Sequence, residues 1–281
     1  MVAGRKVVLC ADDYALSEGV SRGILELLGA GRLSTTSVMS NMPEWKSLAP
    51  DLAPFRRIRG IGLHLNLTAG RPLADMPLLC PNGEFPRLQE IIQRAFTGRL
   101  PGHEIRAELD RQLEAFIEAM GQAPDFVDGH QHIHVLPVIR HSLLSILSER
   151  GLGGEVWLRD PSDGAVQIIR REVGANKALL VKGLAIGFRA AANAAGFMTN
   201  DGFSGFSPLD PKMPAERVIT RAFTSLGLRP VIMCHPGYVD PSLRDLDPAV
   251  DSRPAELAYL GSEAFGLFMA ERNLELVARP A

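Results

Sequence analysis

Residues 6–40, KVVLCADDYALSEGVSRGILELLGAGRLSTTSVMS, contain one complete strand–helix–strand unit. Residues 6–13 form an apolar run rich in Val and Leu, which is typical of a strand buried on both faces of a parallel sheet. Residues 17–30 predict a helix, because Ser17 suits the N-cap position, apolar residues share one face and glycines follow the last turn. A second strand is predicted at 35–40. Two strands joined through a helix predict parallel pairing.

The same alternation continues to the end of the chain. Further strands are predicted at 58–67, 126–132, 156–159, 230–234 and 273–277, and helices at 103–120, 138–150, 164–195 and 215–226. Residues 71–87 and 200–206 follow neither period, and we interpret both as loops that form walls of a substrate site. Repeated strand–helix units without hairpin signals predict an α/β barrel, with residues 1–281 as a single domain.

Composition narrows the classes of function and partner. The 30 basic and 32 acidic residues give a net charge of −2, which does not favour nucleic acid. Three cysteines without a CxxC motif predict neither a disulfide framework nor a cysteine-rich zinc site. No stretch approaches the roughly 18 apolar residues of a membrane span, and the N-terminus meets the first strand too soon for a signal peptide. We therefore expect a cytoplasmic protein, with a homodimer as the base-rate expectation for its size.

Polar residues that can carry chemistry stand near the ends of the predicted strands. They are Asp12, Asp13, His64, Asp128, His130, His132, Arg159 and His235. The carboxyl ends of parallel strands meet on one face, so we expect these side chains to converge there. Adjacent residues of a regular strand face opposite sides, so Asp12 and Asp13 can serve one site only if the strand breaks at that point.

The segment GHQHIH, residues 129–134, carries three alternating histidines. On a strand, alternate residues share a face, so His130, His132 and His134 would point the same way. Three buried imidazoles on one face are costly without a metal or partners, and this indicates function. Taken singly, His64 fits a core histidine as well as a ligand, and an Asp-Asp pair fits a turn or a helix cap.

Together these residue types suit hydrolysis. One carboxylate and two imidazoles are suitable ligands for a divalent ion of the Zn²⁺, Mn²⁺, Ni²⁺ or Co²⁺ type. Such an ion polarises a carbonyl oxygen and lowers the pKa of its water. A second carboxylate can take a proton from that water, and a further His can protonate a leaving amine. This combination of residue types therefore predicts the hydrolysis of an amide or an ester.

Five fragments occur along the chain in this order: ADDY at 11–14, STTS at 34–37, GLHL at 62–65, DGHQHIH at 128–134 and MCHPG at 233–237. Together they resemble the motifs of the YdjC-like carbohydrate deacetylases, which include chitooligosaccharide deacetylases and hopanoid-associated relatives. The resemblance implies a distorted (β/α) TIM-like barrel. It also implies a hydrolase in which metal-activated water attacks the acetamide carbonyl of an N-acetylated sugar, either an oligosaccharide or a glycoconjugate.

The resemblance also implies a ligand set and two catalytic groups. One divalent ion, Mg²⁺ or Zn²⁺ ahead of Mn²⁺, Ni²⁺ or Co²⁺, would be held by Asp13, His64 and His130. By analogy with the paired aspartates of polysaccharide deacetylases, Asp12 would be the general base. His235 matches the late histidine of the family and would be the general acid.

Three further residues are predicted to serve the substrate. Arg159 resembles a family arginine that would bind a substrate oxygen or orient Asp12, and His132 would support the ligands or contact the sugar. Tyr14 is one of several aromatic residues that could stack on a sugar ring, with packing in the core as the alternative role. This chain departs from the family at Ala15, where glycine is common, and a positive φ at this position would strain the turn.

Two other classes of function remain open. One is a metal-dependent phosphoesterase or an amidohydrolase on a similar barrel. Amidohydrolases usually begin with HxH on the first strand, where this chain has an Asp pair, and a phosphoesterase would need more basic groups than Arg159. The other is a sugar-binding homologue that keeps its metal without turnover. Such a binder would need neither Asp12 nor His235.

Overall fold

The architecture is a curved parallel sheet covered by helices, seen in a computed structural model that describes residues 4–208, 210–247 and 250–281. The strands assigned in these ranges are β1 (Arg5–Tyr14), β2 (Thr35–Val38), β3 (Gly60–Leu65), β4 (Phe126–Gly129), β5 (Trp157–Leu158), β6 (Phe203–Ser204), β7 (Val231–Cys234) and β8 (Leu274–Leu276). Their order is β5-β4-β3-β2-β1-β7-β6, and β8 pairs with the start of β1. Neighbouring strands are parallel throughout this order.

The sheet forms a half-barrel. An isolated parallel bridge joins Leu158 of the terminal strand β5 to Thr199, which precedes β6 in the chain. The predicted α/β barrel is confirmed in this distorted, incomplete form. Strand β1 is central and is buried from Val7 to Tyr14. Both faces of β1 are covered, as the apolar run predicted, because Leu9 packs into the larger apolar cluster and Val8 into a smaller one.

The helices follow the strands as the sequence indicated, with several additions. They are α1 (Glu18–Gly29), α2 (Trp45–Leu52), α3 (Leu88–Phe96), α4 (Gly102–Met120), α5 (Ile139–Glu149), α6 (Ala165–Arg171), α7 (Ala175–Leu184), α8 (Phe188–Ala194), α9 (Ala215–Ala222), α10 (Pro241–Leu246), α11 (Arg253–Gly261) and α12 (Glu263–Glu271). Helix α1 begins where predicted, since the Ser17 hydroxyl accepts a hydrogen bond from the Val20 amide. In the described ranges no helix combines the length and apolarity needed to cross a membrane.

The histidine segment departs from the prediction. Strand β4 ends at Gly129, and His130–Val135 form a short 3-10 segment. Gln131 and His132 have φ angles of 52° and 61°, in the left-handed region. Strand alternation is therefore lost, and the prediction that the three histidines share one face is wrong. The turn brings His134 over Gly129, where an added Cβ would lie 2.9 Å from the imidazole Nδ1.

The long segment 71–87 contains no helix or strand, as predicted. It is attached to α4 through two buried carboxylates. Glu108 accepts hydrogen bonds from the Leu73 amide, and Glu104 accepts them from the amides of Leu78 and Leu79. These acids provide hydrogen-bond partners for backbone amides of a segment that has no helix or strand ladder of its own. The loop is therefore fixed on the half-barrel.

Candidate metal centre and cleft

A break in β1 lets two adjacent aspartates serve one site. The register of β1 against β2 shifts between Ala11 and Tyr14, and Asp13 has a φ of 74°. Because of this bulge, the Asp13 carboxylate does not point to the side where regular strand alternation would place it. Ala15 also lies in the left-handed region, with a φ of 71°. The position where the family commonly has glycine is thus one that disfavours an L side chain.

The three predicted metal ligands lie together. Asp13 Oδ1 is 3.0 Å from His130 Nδ1 and 3.3 Å from His64 Nε2. Two donors bound to one ion at about 2.0–2.1 Å, with bond angles between octahedral and tetrahedral, lie roughly 2.8–3.4 Å apart. Ligand atoms of all three residues lie within 4.8 Å of one another. Donor types and spacing therefore fit a divalent ion.

His64 is oriented from behind by Asp128, its neighbour across β3 and β4. Asp128 Oδ1 is 2.6 Å from His64 Nδ1, and Ser37 Oγ is 3.1 Å from the same nitrogen. This arrangement leaves Nε2 for the centre, as in carboxylate–histidine–metal triads. Burial lowers the pKa of His64, but the Asp128 carboxylate outweighs this and the pKa rises to about 10. An incoming ion must therefore displace a proton from this ring.

Asp12 faces a different partner from Asp13. Arg159 Nη1 and Nη2 lie 2.6 and 2.8 Å from the two oxygens of Asp12, and Nη1 is also 2.8 Å from Asp128 Oδ2. Arg159 is completely buried, so of its two predicted roles the geometry favours orienting Asp12 over contacting substrate. Burial alone would raise the pKa of Asp12, but the guanidinium charge outweighs it and the net shift is downward. Cys10, Asp12 and Asp128 also cluster, but Arg159 is paired with both acids of that group.

His235 and His132 reach the same region from separate elements. His235 follows β7, and its amide donates to Glu256 Oε2 at 2.7 Å. The His132 ring contacts the edges of Phe203 and Phe206, with centroids 5.7 and 5.3 Å away. Within the described ranges the Nδ1 atoms of both histidines are buried without a hydrogen-bond partner. Burial lowers the pKa of both imidazoles.

Tyr14 does not belong to the site. Its side chain is completely buried in the apolar core, and its hydroxyl donates to the Leu48 carbonyl oxygen at 2.8 Å. Burial raises the pKa of the phenol. The prediction that Tyr14 contacts substrate is therefore wrong. The bulge at Asp13 directs the aspartate to the site and leaves the next side chain pointing into the core.

The proposed metal ligands lie in a cleft of about 210 Å³, together with Asp12, His132 and His235. Its polar residues are Asp12, Asp13, His64, His130, Gln131, His132, Lys177, His235, Asp247 and Arg253, and its apolar residues are Leu88, Ile92, Leu180, Val181, Leu184 and Met233. The apolar walls come from α3 and α7. Neither 71–87 nor 200–206 lines the cleft directly, so the prediction that these loops form its walls is wrong.

Sequence reasoning missed Arg253, Asp247 and Lys177. All three lie outside the strand ends on which the predictions were based, and no local motif distinguishes them. Arg253 is 2% exposed, and its Nη2 is 2.6 Å from Asp13 Oδ2. Only the folded structure brings the C-terminal helix region to β1.

His134 has a structural role that predicts a pH effect. Its Nε2 donates to the Arg159 carbonyl oxygen at 2.7 Å, and burial lowers its pKa from 6.5 to about 3. Below pH 6.5 the unfolded chain gains a proton at this ring that the folded chain lacks, so stability falls as pH falls. The loss is about 1.4 kcal/mol per pH unit until the folded group also titrates.

Replacement of His134 by Gln keeps a donor for the Arg159 carbonyl oxygen and removes the titration. We expect metal-free wild type to lose about 2 kcal/mol more unfolding free energy than His134→Gln between pH 7 and pH 5. Urea unfolding at both pH values measures the difference. The exposed His141→Gln variant serves as the control and should behave as wild type. Equal pH slopes for wild type and His134→Gln would contradict the assignment.

The fold and the site together define a parallel α/β half-barrel with an acid–imidazole cluster at the carboxyl ends of its strands. The chain belongs to the YdjC-like protein family, whose match covers residues 6–271. It is 31% identical to a carbohydrate deacetylase of Geobacillus stearothermophilus over 97% of this chain and 96% of that protein. It is 30% identical to a chitooligosaccharide deacetylase of Yersinia pestis over 96% of each chain.

A solved structure has the same fold. It is a protein from Enterococcus faecalis whose name proposes cellobiose-phosphate cleavage. The TM-score is 0.74 at 20% identity, and the alignment covers 99% of this chain and 98% of that one. At this level of identity the likeness supports the half-barrel architecture and carries no inference about substrate.

Proposed function

We propose that this protein is a metal-dependent hydrolase that removes the acetyl group from the nitrogen of an N-acetylated sugar. The proposal rests on the cluster of Asp13, His64 and His130, which lies in one cleft with Asp12 and His235. Ligand-type and proton-transfer residues thus face the same space. The names of the two relatives, both deacetylases of carbohydrates, support the same chemistry.

Asp13, His64 and His130 would hold the ion, which when bound would polarise the acetyl carbonyl and activate the attacking water. Asp12 is the residue that accepts the proton. Its lowered pKa keeps it ionised at neutral pH, and the two bonds from Arg159 fix the direction of its carboxylate. A base already oriented in this way contributes without side-chain reorganisation during the reaction.

His235 is suited to give a proton to the departing nitrogen. Its Nδ1 has no partner in the described part of the chain, and its backbone is fixed by Glu256. Burial lowers the pKa of the ring, so the free protein carries it neutral near pH 7. Negative charge that develops on the acetyl oxygen favours the protonated ring, because an opposite charge nearby stabilises it. The ring therefore takes up a proton from solvent as this charge develops and gives it to the nitrogen when the carbon–nitrogen bond breaks, while Asp12 returns the proton of the water to solvent.

The walls of the cleft are consistent with a sugar. Leu88 and Ile92 of α3 line the cleft together with Leu180, Val181 and Leu184 of α7. Aliphatic walls can pack against the C–H face of a pyranose ring. His132 and Lys177 lie among them and offer polar atoms for its hydroxyl groups. Polar groups inside a largely apolar cleft are typical of sites that orient a small ligand.

Product analysis tests the proposal. Protein loaded with Zn²⁺, Mg²⁺, Mn²⁺, Ni²⁺ or Co²⁺ is incubated with N-acetylglucosamine, chitooligosaccharides and N-acetylated glycoconjugates. We expect equimolar acetate and free amine from at least one of them. Phosphate release from sugar phosphates in parallel samples, without acetate, would favour the phosphoesterase. Metal and sugar binding without any product would favour the non-catalytic homologue.

The role of His235 predicts a dependence on the leaving group. His235→Ala should lower turnover of the acetamide about 10²- to 10⁴-fold, because a poor amine leaving group needs a proton. The same variant should lose far less activity on 4-nitrophenyl acetate, whose phenolate leaves without protonation. The ratio of the two kcat values, measured for wild type and variant, checks this. An equal loss on both substrates would contradict the acid role.

A further inference from the structure

Arg253 is a buried charge in the cleft that the proposed chemistry does not use. It is the first residue of α11 and is 2% exposed. Its Nη2 atom lies 2.6 Å from Asp13 Oδ2 and 2.8 Å from Asp247 Oδ2. One guanidinium nitrogen thus bridges two carboxylates, that of the proposed metal ligand Asp13 and that of Asp247, which lies far from Asp13 in the sequence.

This bridge divides the two oxygens of Asp13 between different tasks. Oδ2 is engaged by Arg253, whereas Oδ1 faces His130 at 3.0 Å and His64 at 3.3 Å. A free carboxylate can rotate about its terminal torsion and can bind an ion through one oxygen or through both. The contact with Arg253 opposes both the rotation and the second ligand bond. Positions around the ion are then left for water and for the acetyl oxygen.

The element that carries Arg253 is attached to the site at two more points. Glu256, one turn along α11, accepts a hydrogen bond from the His235 amide at 2.7 Å. The Arg253 carbonyl oxygen accepts one from the Gly237 amide at 3.3 Å. The first turn of α11 is therefore fixed against the end of β7. Arg253 consequently acts from a supported backbone and not from a free loop.

We propose that Arg253 is a positioning residue that presents a single oxygen of Asp13 to the divalent ion. The inference rests on the proposed metal site and adds to it a residue that no sequence motif indicated. A buried arginine can affect a cation site in two opposite ways, and the proposal chooses between them. As a mere counter-charge, Arg253 would repel the ion, and its removal would strengthen metal binding. As a positioning group, it prepares the ligand, and its removal weakens binding.

Metal affinity measures the difference without any assay of activity. Competition with a chelating dye gives the Zn²⁺ dissociation constant for wild type, Arg253→Lys and Arg253→Met. Lys keeps the charge but is too short for both carboxylates, and Met keeps the approximate length without charge. We expect both variants to bind about 10- to 100-fold more weakly, the usual loss when a group supporting a metal ligand is removed. Wild-type affinity in Arg253→Lys, or tighter binding in Arg253→Met, would overturn the proposal.

Two further variants keep the test decisive. Arg171 is another buried arginine, paired with Asp163 away from the cleft, and Arg171→Met should bind Zn²⁺ as wild type does. An equal loss there would assign the effect to general destabilisation and overturn the proposal. If Arg253→Met does not fold, Asp247→Ala, which removes the second anchor of the guanidinium, replaces it with the same expected direction. Failure of the metal site itself is distinguishable, because wild type would then bind no better than Asp13→Asn.

Discussion

Asp13→Asn will lower acetate release about 10³-fold or more, and Zn²⁺ binding will be lost with it. Asp13 Oδ1 lies 3.0 Å from His130 Nδ1 and 3.3 Å from His64 Nε2, and Asn offers a neutral, weaker ligand in the same volume. Loss of the ion removes several kcal/mol of transition-state stabilisation, and about 1.4 kcal/mol corresponds to a factor of ten in rate. Acetate assays at saturating metal and dye competition measure the two losses.

The control for Asp13→Asn is Asp163→Asn. Asp163 is a carboxylate that pairs with Arg171 outside the cleft, so its removal tests the general cost of breaking such a pair. We expect this variant to keep its metal affinity and its turnover once folding is verified by circular dichroism. Retention of Zn²⁺ binding by Asp13→Asn would contradict the assigned ligand set.

Asp12→Asn separates proton transfer from metal binding. We expect kcat to fall about 10²- to 10⁴-fold, the usual contribution of a positioned acid–base group, with Zn²⁺ affinity close to that of wild type. Asn retains one carbonyl oxygen that can accept from Arg159, and it loses the second bond because its amide nitrogen is a donor. Single-turnover acetate release and dye competition, made on the same preparation, give both quantities. A parallel fall in metal affinity would show that Asp12 acts through the ion.

The fold was largely predictable because its strands are marked by composition. The Val- and Leu-rich run before Asp12 reads as buried, and β1 is buried on both faces. Helix α1 has its cap in the sequence at Ser17. Helix α3 was not predicted, and with α7 it forms the apolar walls of the cleft. Those walls depend on how helices pack onto the half-barrel, which local periodicity does not encode.

Several residues of the cleft were predictable from the sequence, but their geometry was not. Asp13, His64 and His130 follow from the family motifs, and they do lie together. Their arrangement depends on left-handed backbone at Asp13, Gln131 and His132, none of which is glycine. No alternation rule predicts such turns, so the histidine face and the Tyr14 contact were both misjudged. Arg253 is a tertiary contact 240 positions from Asp13 along the chain, and it left no sequence signal at all.

The most direct test of the central claim is a titration of metal-free protein with Zn²⁺ or Mn²⁺, following acetate release from the best N-acetylated sugar. The account predicts no release without metal, a linear rise and a break at one ion per chain. It also predicts that Asp13→Asn stays inactive throughout the titration. Full acetate release from the metal-free protein, or none from a protein with one bound ion on any N-acetylated sugar, would contradict it.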